Sequence, residues 1–246
     1  AHELASVGAT VAIVGRKLEK LEAVKAEIEA TGGKVSVHVC DIREEESVIA
    51  TIDAVLALHG KIDGLVNNAG GQYRMPAEDI STKGFEAVVR NNLVGGFIFM
   101  RETYKRWMKA NGGAIVNMIA DIWHGWPNYS HSAAARGGMW TLTESVASEW
   151  ASDGVRINAV APGCIASSGL DTYEPEAQQF FRDIPKSIPL QRWGNSSEIS
   201  SAIVYLLSPG AAYITGACIR IDGGSPNARI CWGPLRQECN SEAFDG

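Results

Sequence analysis

Short apolar runs alternate with segments of helical period along most of this chain, and that alternation confines it to one architecture. Val11-Ala-Ile-Val14 is an apolar run closed by Gly15, which reads as a buried parallel strand. Leu18, Leu21, Val24, Lys25 and Ile28 then recur at helical spacing until Thr31-Gly32-Gly33 stops the helix. Lys34 to Val39 alternates as a strand, and Glu44 to His59 reads as a helix ending before Gly60. The βαβα pattern continues to about residue 225, which predicts an α/β fold with a doubly wound parallel sheet, covered on both faces and joined by right-handed crossovers. At 246 residues the chain suits one such domain, taken as residues 1–225, followed by an irregular tail over 226–246. Long helices are expected from about Thr82 to Lys109 and from about Ser132 to Ser152. Gly95-Gly96 would weaken an isolated first helix by about 1 kcal/mol each, so close helix packing is the expected reason for them.

The formal charge of −6 argues against a nucleic-acid partner, which needs a basic face. No window approaches the roughly 18 to 20 apolar residues of a membrane span, and no signal peptide opens the sequence, so a cytoplasmic protein is expected. The five cysteines, Cys40, Cys164, Cys218, Cys231 and Cys239, are odd in number and show no Cys-x-x-Cys spacing, as suits reduced thiols. His124 and His131 lack the further ligands that a zinc site requires, and no metal is expected.

Several motifs stand in one register. Asn67-Asn68-Ala69-Gly70 follows the apolar run from Ile62 to Val66, and Asn92-Leu93-Val94-Gly95 falls within the first long helix. Gly113-Ala-Ile-Val-Asn117, the segment from Arg156 to Pro162-Gly163, Ile214-Thr215-Gly216 and Ile221-Asp222-Gly223-Gly224 follow in order. Together they resemble a short-chain dehydrogenase/reductase over residues 1 to 225, which implies a Rossmann fold. Gly70-Gly71-Gln72-Tyr73, Ser81-Thr82-Lys83-Gly84, Trp107-Met108-Lys109 and His131-Ser132 with Ala134-Ala135-Arg136 are most similar to peroxisomal trans-2-enoyl-CoA reductases and their bacterial relatives. The family's two long helices form its main subunit interface, so the resemblance implies a homodimer or homotetramer.

The family's first strand and its Thr-Gly-x-x-x-Gly-x-Gly turn have no counterpart here; residues 1 to 7 resemble the end of the helix that follows that turn. That strand lies mid-sheet in the family, so two central strand edges should lack a partner. The expectation is a sequence cut from a longer protein.

For the cofactor half, Arg16-Lys17 comes directly after a strand, where an acidic residue would accept the ribose 2′-hydroxyl of NAD. A basic pair there suits a 2′-phosphate, so NADP(H) is the expected cofactor. The resemblance further implies that Asp41 and Ile42 meet the adenine, that Asn68, Ala69 and Gly70 meet the cofactor ribose, and that Pro162, Gly163, Ile165 and Ser167 meet the nicotinamide. Asp41 reads equally as a cap before Glu44-Glu45-Glu46.

For the chemical half, the family uses a tyrosine as acid, a lysine that lowers its pKa and holds the ribose, a serine and an asparagine. Here Asn92 is retained, Ser132 takes the tyrosine position, Arg136 the lysine position, and the serine position falls at Ala120 or Asp121. Ser132 and Arg136 are four apart and share a helix face. A serine hydroxyl donates a hydrogen bond but is a far poorer acid than a phenol of pKa about 10. Tyr129 lies seven before Arg136, about 10 Å along a helix, and is a poor replacement. Trp140 holds the place where the enoyl-CoA reductase group carries a tyrosine, and an indole N–H is no practical acid. Asp121 and His124 could act through a water.

Carbonyl reduction needs a strong acid at the oxygen, whereas reduction of a conjugated C=C spreads charge into an enolate that hydrogen-bond donors and a cation can stabilise. The substituted positions therefore point to an NADPH-dependent reductase of a trans-2-enoyl thioester, coenzyme A linked, with Trp123, Trp126 and Tyr129 beside an acyl chain. A carbonyl or hydroxyl dehydrogenase with another acid, and a catalytically silent cofactor-binding scaffold, are the alternatives.

Overall fold

A computed structural model of the chain describes residues 1–166, 183–227, 235, 237 and 240–246. Among the described residues six parallel strands form at the apolar runs. β1 (Thr10–Gly15) pairs with β2 (Lys34–Val39) from Thr10 opposite Lys34 to Gly15 opposite Val39. β3 (Gly64–Asn67), β4 (Gly113–Met118), β5 (Val155–Pro162) and β6 (Cys218–Ile221) make a second parallel sheet in that order. Among the described residues no strand lies between β1 and β3, so both present an inner edge without a ladder partner, at the place expected from the sequence. The fold is a single-domain α/β Rossmann arrangement.

Helices cover both faces of the larger sheet because alternate residues of its strands are apolar on both sides. Ile115, Ile157 and Ala159 pack on one face with Met100, Met139, Val146 and Ala147. Val116 and Val160 pack on the other with Ile199, Ile203 and Leu206. A third cluster joins Val14 of β1 and Leu65 of β3 through Cys40, Val48, Ile52, Ile98 and Phe99, and so spans the gap between the two sheets.

Among the described residues the α-helices are α1 (His2–Ser6), α2 (Leu18–Ala30), α3 (Glu45–His59), α4 (Thr82–Val89), α5 (Gly95–Thr103), α6 (Lys109–Asn111), α7 (Ser130–Trp150) and α8 (Ser196–Leu207). α4, α5 and α6 form one helical run, as the sequence predicts, but π-turns interrupt it at Arg90–Val94 and Tyr104–Met108. α7 begins two residues before the expected Ser132, with Tyr129 as its cap residue. The glycine pair in the long run is there for packing: a Cβ on Gly95 would come within 2.8 Å of the Ile42 side chain, and one on Gly96 within 2.7 Å of Met139 Cε.

A buried polar ladder ties the sheet to α7. Asn67 stands opposite Asn117 in the β3–β4 register. Its Nδ2 donates to Asn117 Oδ1 at 2.9 Å, Asn117 Nδ2 donates to Thr143 Oγ1 at 2.9 Å, and that hydroxyl donates to the Met139 carbonyl at 2.8 Å.

Candidate active site

The carboxyl ends of β1 to β5 carry the candidate residues, at the edge where parallel sheets of this kind bind ligands. Arg16 and Lys17 follow β1 and are exposed. Asp41 follows β2, and Arg43 Nε donates to both of its carboxylate oxygens, at 2.8 and 3.1 Å. Those hydrogen bonds from Arg43, aided by its charge and by that of Arg16, hold the Asp41 pKa at about 2. Asp41 also accepts from the Arg43 amide at 3.1 Å, so it closes a local turn; the cap residue of α3 is Glu44. Ile42 packs against Gly95.

Asn68, Ala69 and Gly70 follow β3 and are exposed. Asn92 lies in the π-turn and clamps the next residue: its Nδ2 donates to the Gly71 carbonyl at 2.6 Å and to the Val88 carbonyl at 2.9 Å, while its Oδ1 accepts from Gly71 N at 3.1 Å. Both amide hydrogens are thus committed to backbone, and the role visible for Asn92 is to fix Gly70-Gly71 beside α7. The π-turn is what lets it reach, since the extra residue turns this side chain out of the regular helix.

Ser132 and Arg136 share one face of α7, as their spacing requires, and both are buried. Arg136 Nη1 donates to the Met118 carbonyl at the end of β4, at 2.6 Å. Its Nη2 lies against Gly70, where any Cβ would overlap both the guanidinium and Asn92 Oδ1. Burial lowers the Arg136 pKa to about 10, so it stays a cation at neutral pH, and no carboxylate pairs with it among the described residues. An unpaired buried cation is costly unless something else meets it. Ser132 Oγ donates across 3.4 Å to Gln72 Oε1.

Asp121 lies three residues beyond Met118, and its amide donates to the Pro162 carbonyl at 3.0 Å. Its Oδ1 is buried without a hydrogen-bond partner among the described residues. Burial, and secondly the negative charge of Asp222, raise its pKa. Asp222 is itself held by Arg220 Nε at 3.0 Å, and Arg220 sits over the Trp123 ring at 5.2 Å. Gly163 closes against this pair: a Cβ there would approach Asp222 Cα to 2.7 Å. Ile165 bridges to Gly194, and Ser167 lies outside the described residues. A cavity of about 440 Å³ bounded by Cys164, Ile165, Leu190 and Asp222 adjoins this end of the sheet but is not lined by Ser132 or Arg136.

The structure therefore brings Asn92, Gly70, Ser132 and Arg136 together, with Arg16 and Asp41 at one end of the row of strand termini and Asp121, Pro162 and Gly163 at the other. Tyr129 stacks on Trp126 at 5.0 Å, and Trp140 packs against the core. Sequence reasoning assigned no role to Gly71, Gln72 or the Arg220–Asp222 pair. The Gly70-Gly71-Gln72-Tyr73 run was visible, but the path that lays it on α7 depends on Asn92.

The family model described as enoyl-(acyl carrier protein) reductase matches residues 1–225. The chain belongs to the short-chain dehydrogenase/reductase family. It is 36% identical to a probable 2,4-dienoyl-CoA reductase (2E-enoyl-CoA-producing) of Bacillus subtilis strain 168, over 91% of this chain and 89% of that protein. The structure of a citronellol catabolism dehydrogenase from Pseudomonas aeruginosa PAO1 is similar at a TM-score of 0.82 with 52% identity, covering 92% of this chain and 88% of that one. A variant actinorhodin polyketide ketoreductase with NADPH is similar at a TM-score of 0.86 with 27% identity, covering 92% and 91%. Family membership makes this chain's fold that of nicotinamide-dependent oxidoreductases acting on small molecules. Among the described residues no helix is long and apolar enough to cross a membrane, and no cluster of three or more potential metal ligands occurs.

Proposed function

We propose that the chain reduces the conjugated double bond of a trans-2-enoyl thioester, coenzyme A linked, using NADPH. The observation that carries this reading is the buried Ser132–Arg136 pair: a hydroxyl donor and an unpaired cation stand where the family places a tyrosine acid and its lysine. A dinucleotide would lie along the carboxyl ends of the strands, where Gly70 lets the backbone close onto Arg136, Gly163 lets it close onto Asp222, and Arg16 offers a cation for a 2′-phosphate. A bound nicotinamide would supply the hydride. Arg136 would hold a ribose hydroxyl and counter negative charge as it develops on the thioester, Ser132 would donate to that oxygen, and Asn92 would hold the Gly70-Gly71 backbone in place. Charge stabilisation of this kind needs donors already oriented in a buried site, not a strong acid.

A second reading rests on Asp121, whose raised pKa and unpartnered oxygen make it a candidate acid for carbonyl reduction. The two are separated by NADPH oxidation at 340 nm with crotonyl-CoA and with acetoacetyl-CoA. Turnover of crotonyl-CoA, falling on the order of 10²-fold in Arg136→Met, is expected. Turnover of the ketone alone overturns the first reading in favour of the second; absence of both turnover and NADPH binding leaves a silent scaffold.

A further inference from the structure

His131 is fully buried, and neither ring nitrogen has a hydrogen-bond partner among the described residues. A neutral imidazole carries one N–H and one acceptor, so leaving both unmade in the interior is unfavourable, and a phenylalanine or leucine would fill that volume without the penalty. Tyr73 lies against the ring, edge-on at 4.5 Å between centroids with 72° between the planes. The adjacent Gln72 covers the adjacent Ser132. Two successive loop residues thus sit on two successive residues of the first turn of α7.

The covering segment has no regular structure from Ala69 to Pro76, and Gln72, Tyr73 and Arg74 are exposed. It is pinned at its two ends, by Asn92 on Gly71 and by the Met75 amide on the Asn128 carbonyl at 2.9 Å. Between the pins, Gln72 meets Ser132 across 3.4 Å, Tyr73 meets His131 by a ring edge, and the Tyr73 hydroxyl lies against Gly84 of α4.

We propose that His131 is a further catalytic residue: a substrate displaces Gln72 and Tyr73, and His131 N–H joins Ser132 O–H in donating to the substrate's thioester oxygen. The inference rests on the enoyl-thioester reading above. Hydride adds to the β-carbon, the C=C electron pair moves to join the α-carbon to the carbonyl carbon, and the carbonyl pair moves onto oxygen, where the two donors and Arg136 meet the charge. The enolate then collapses back to the carbonyl, the α-carbon takes a proton from water, and buffer neutralises the hydroxide. His131 and Ser132 keep their protons throughout, so neither needs to be a strong acid.

The test uses butyryl-CoA labelled with ¹³C at the carbonyl and bound to the unmodified chain, read by infrared difference spectroscopy, which requires no turnover. A lowered carbonyl stretch is expected, partly restored towards the free value in His131→Phe and again in Ser132→Ala. Crotonyl-CoA reduction should fall on the order of 10²-fold in kcat in His131→Phe with KM within about threefold. His131→Gln keeps an N–H donor and should recover at least about tenfold of that loss; it also serves if His131→Phe does not fold. An unshifted carbonyl band with crotonyl-CoA turnover intact overturns the role of His131 while the enoyl-reductase reading stands. Failure to bind or reduce any thioester overturns both.

Discussion

At the scale of single residues, Asp121 and Arg136 show how burial changes what a charged side chain does. Arg136 stays charged, while Asp121 is held towards its neutral form by burial and by Asp222. The sign of the second effect is testable. Because the folded chain binds the Asp121 proton more tightly than the unfolded chain does, stability falls as pH rises from the ordinary value of 3.8 through the raised one. Asp121→Asn removes that dependence, so thermal melts should show a gain for the variant at about pH 7 that shrinks or reverses at about pH 4. Equal shifts at both would mean that the carboxyl ionises freely. The Ser132–Arg136 spacing and its shared helix face were legible in the sequence because helical geometry is local. That Gln72 and Tyr73 lie on Ser132 and His131 was not, because the contact is set by a loop some 60 residues away in sequence.

Elements came through with less loss than their ends did. β2 runs over the predicted Lys34–Val39, and α3 stops at Gly60, whose φ of 73° is the left-handed conformation glycine adopts freely. The π-turns escaped a reading based on a period of 3.6, since one extra residue barely disturbs the apolar pattern. The early start of α7 is not legible in the sequence because Tyr129, φ −132°, makes no side-chain cap and so carries no cap signal. α8 is the opposite case. Asn195 Oδ1 accepts from Glu198 N at 2.9 Å, Glu198 Oε2 accepts from Asn195 N at 2.9 Å, and Arg192 holds the same carboxylate. Asn195→Ala should lower stability by about 1 kcal/mol, a loss of roughly 2–4 °C in Tm by calorimetry. An unchanged Tm would show that Arg192 and Glu198 fix the helix start without the cap.

For the whole molecule, the two-part sheet sets the distribution of stability. Among the described residues β4 and β5 each have strands on both sides and helices on both faces, whereas β1 and β3 each have one bare edge and are joined through an apolar cluster. Amide hydrogen exchange of this chain, followed by mass spectrometry, should therefore be slowest across Ile115–Asn117 and Ile157–Ala161 and faster in β1 and β3. Uniform protection across all of these strands would refute that ordering. The apolar pattern identifies the strands, and the family resemblance implies the site of the gap, but the way Val14 and Leu65 close across it is a packing outcome that no local signal carries. The ladder from Asn67 through Asn117 to Thr143 has a consequence on a different timescale, that of descent. Loss of Asn67 leaves the buried Asn117 Oδ1 without its donor, whereas loss of Thr143 still leaves Asn117 Nδ2 a weaker contact to Met100 Sδ, so over descent change is tolerated more readily at Thr143 than at Asn67.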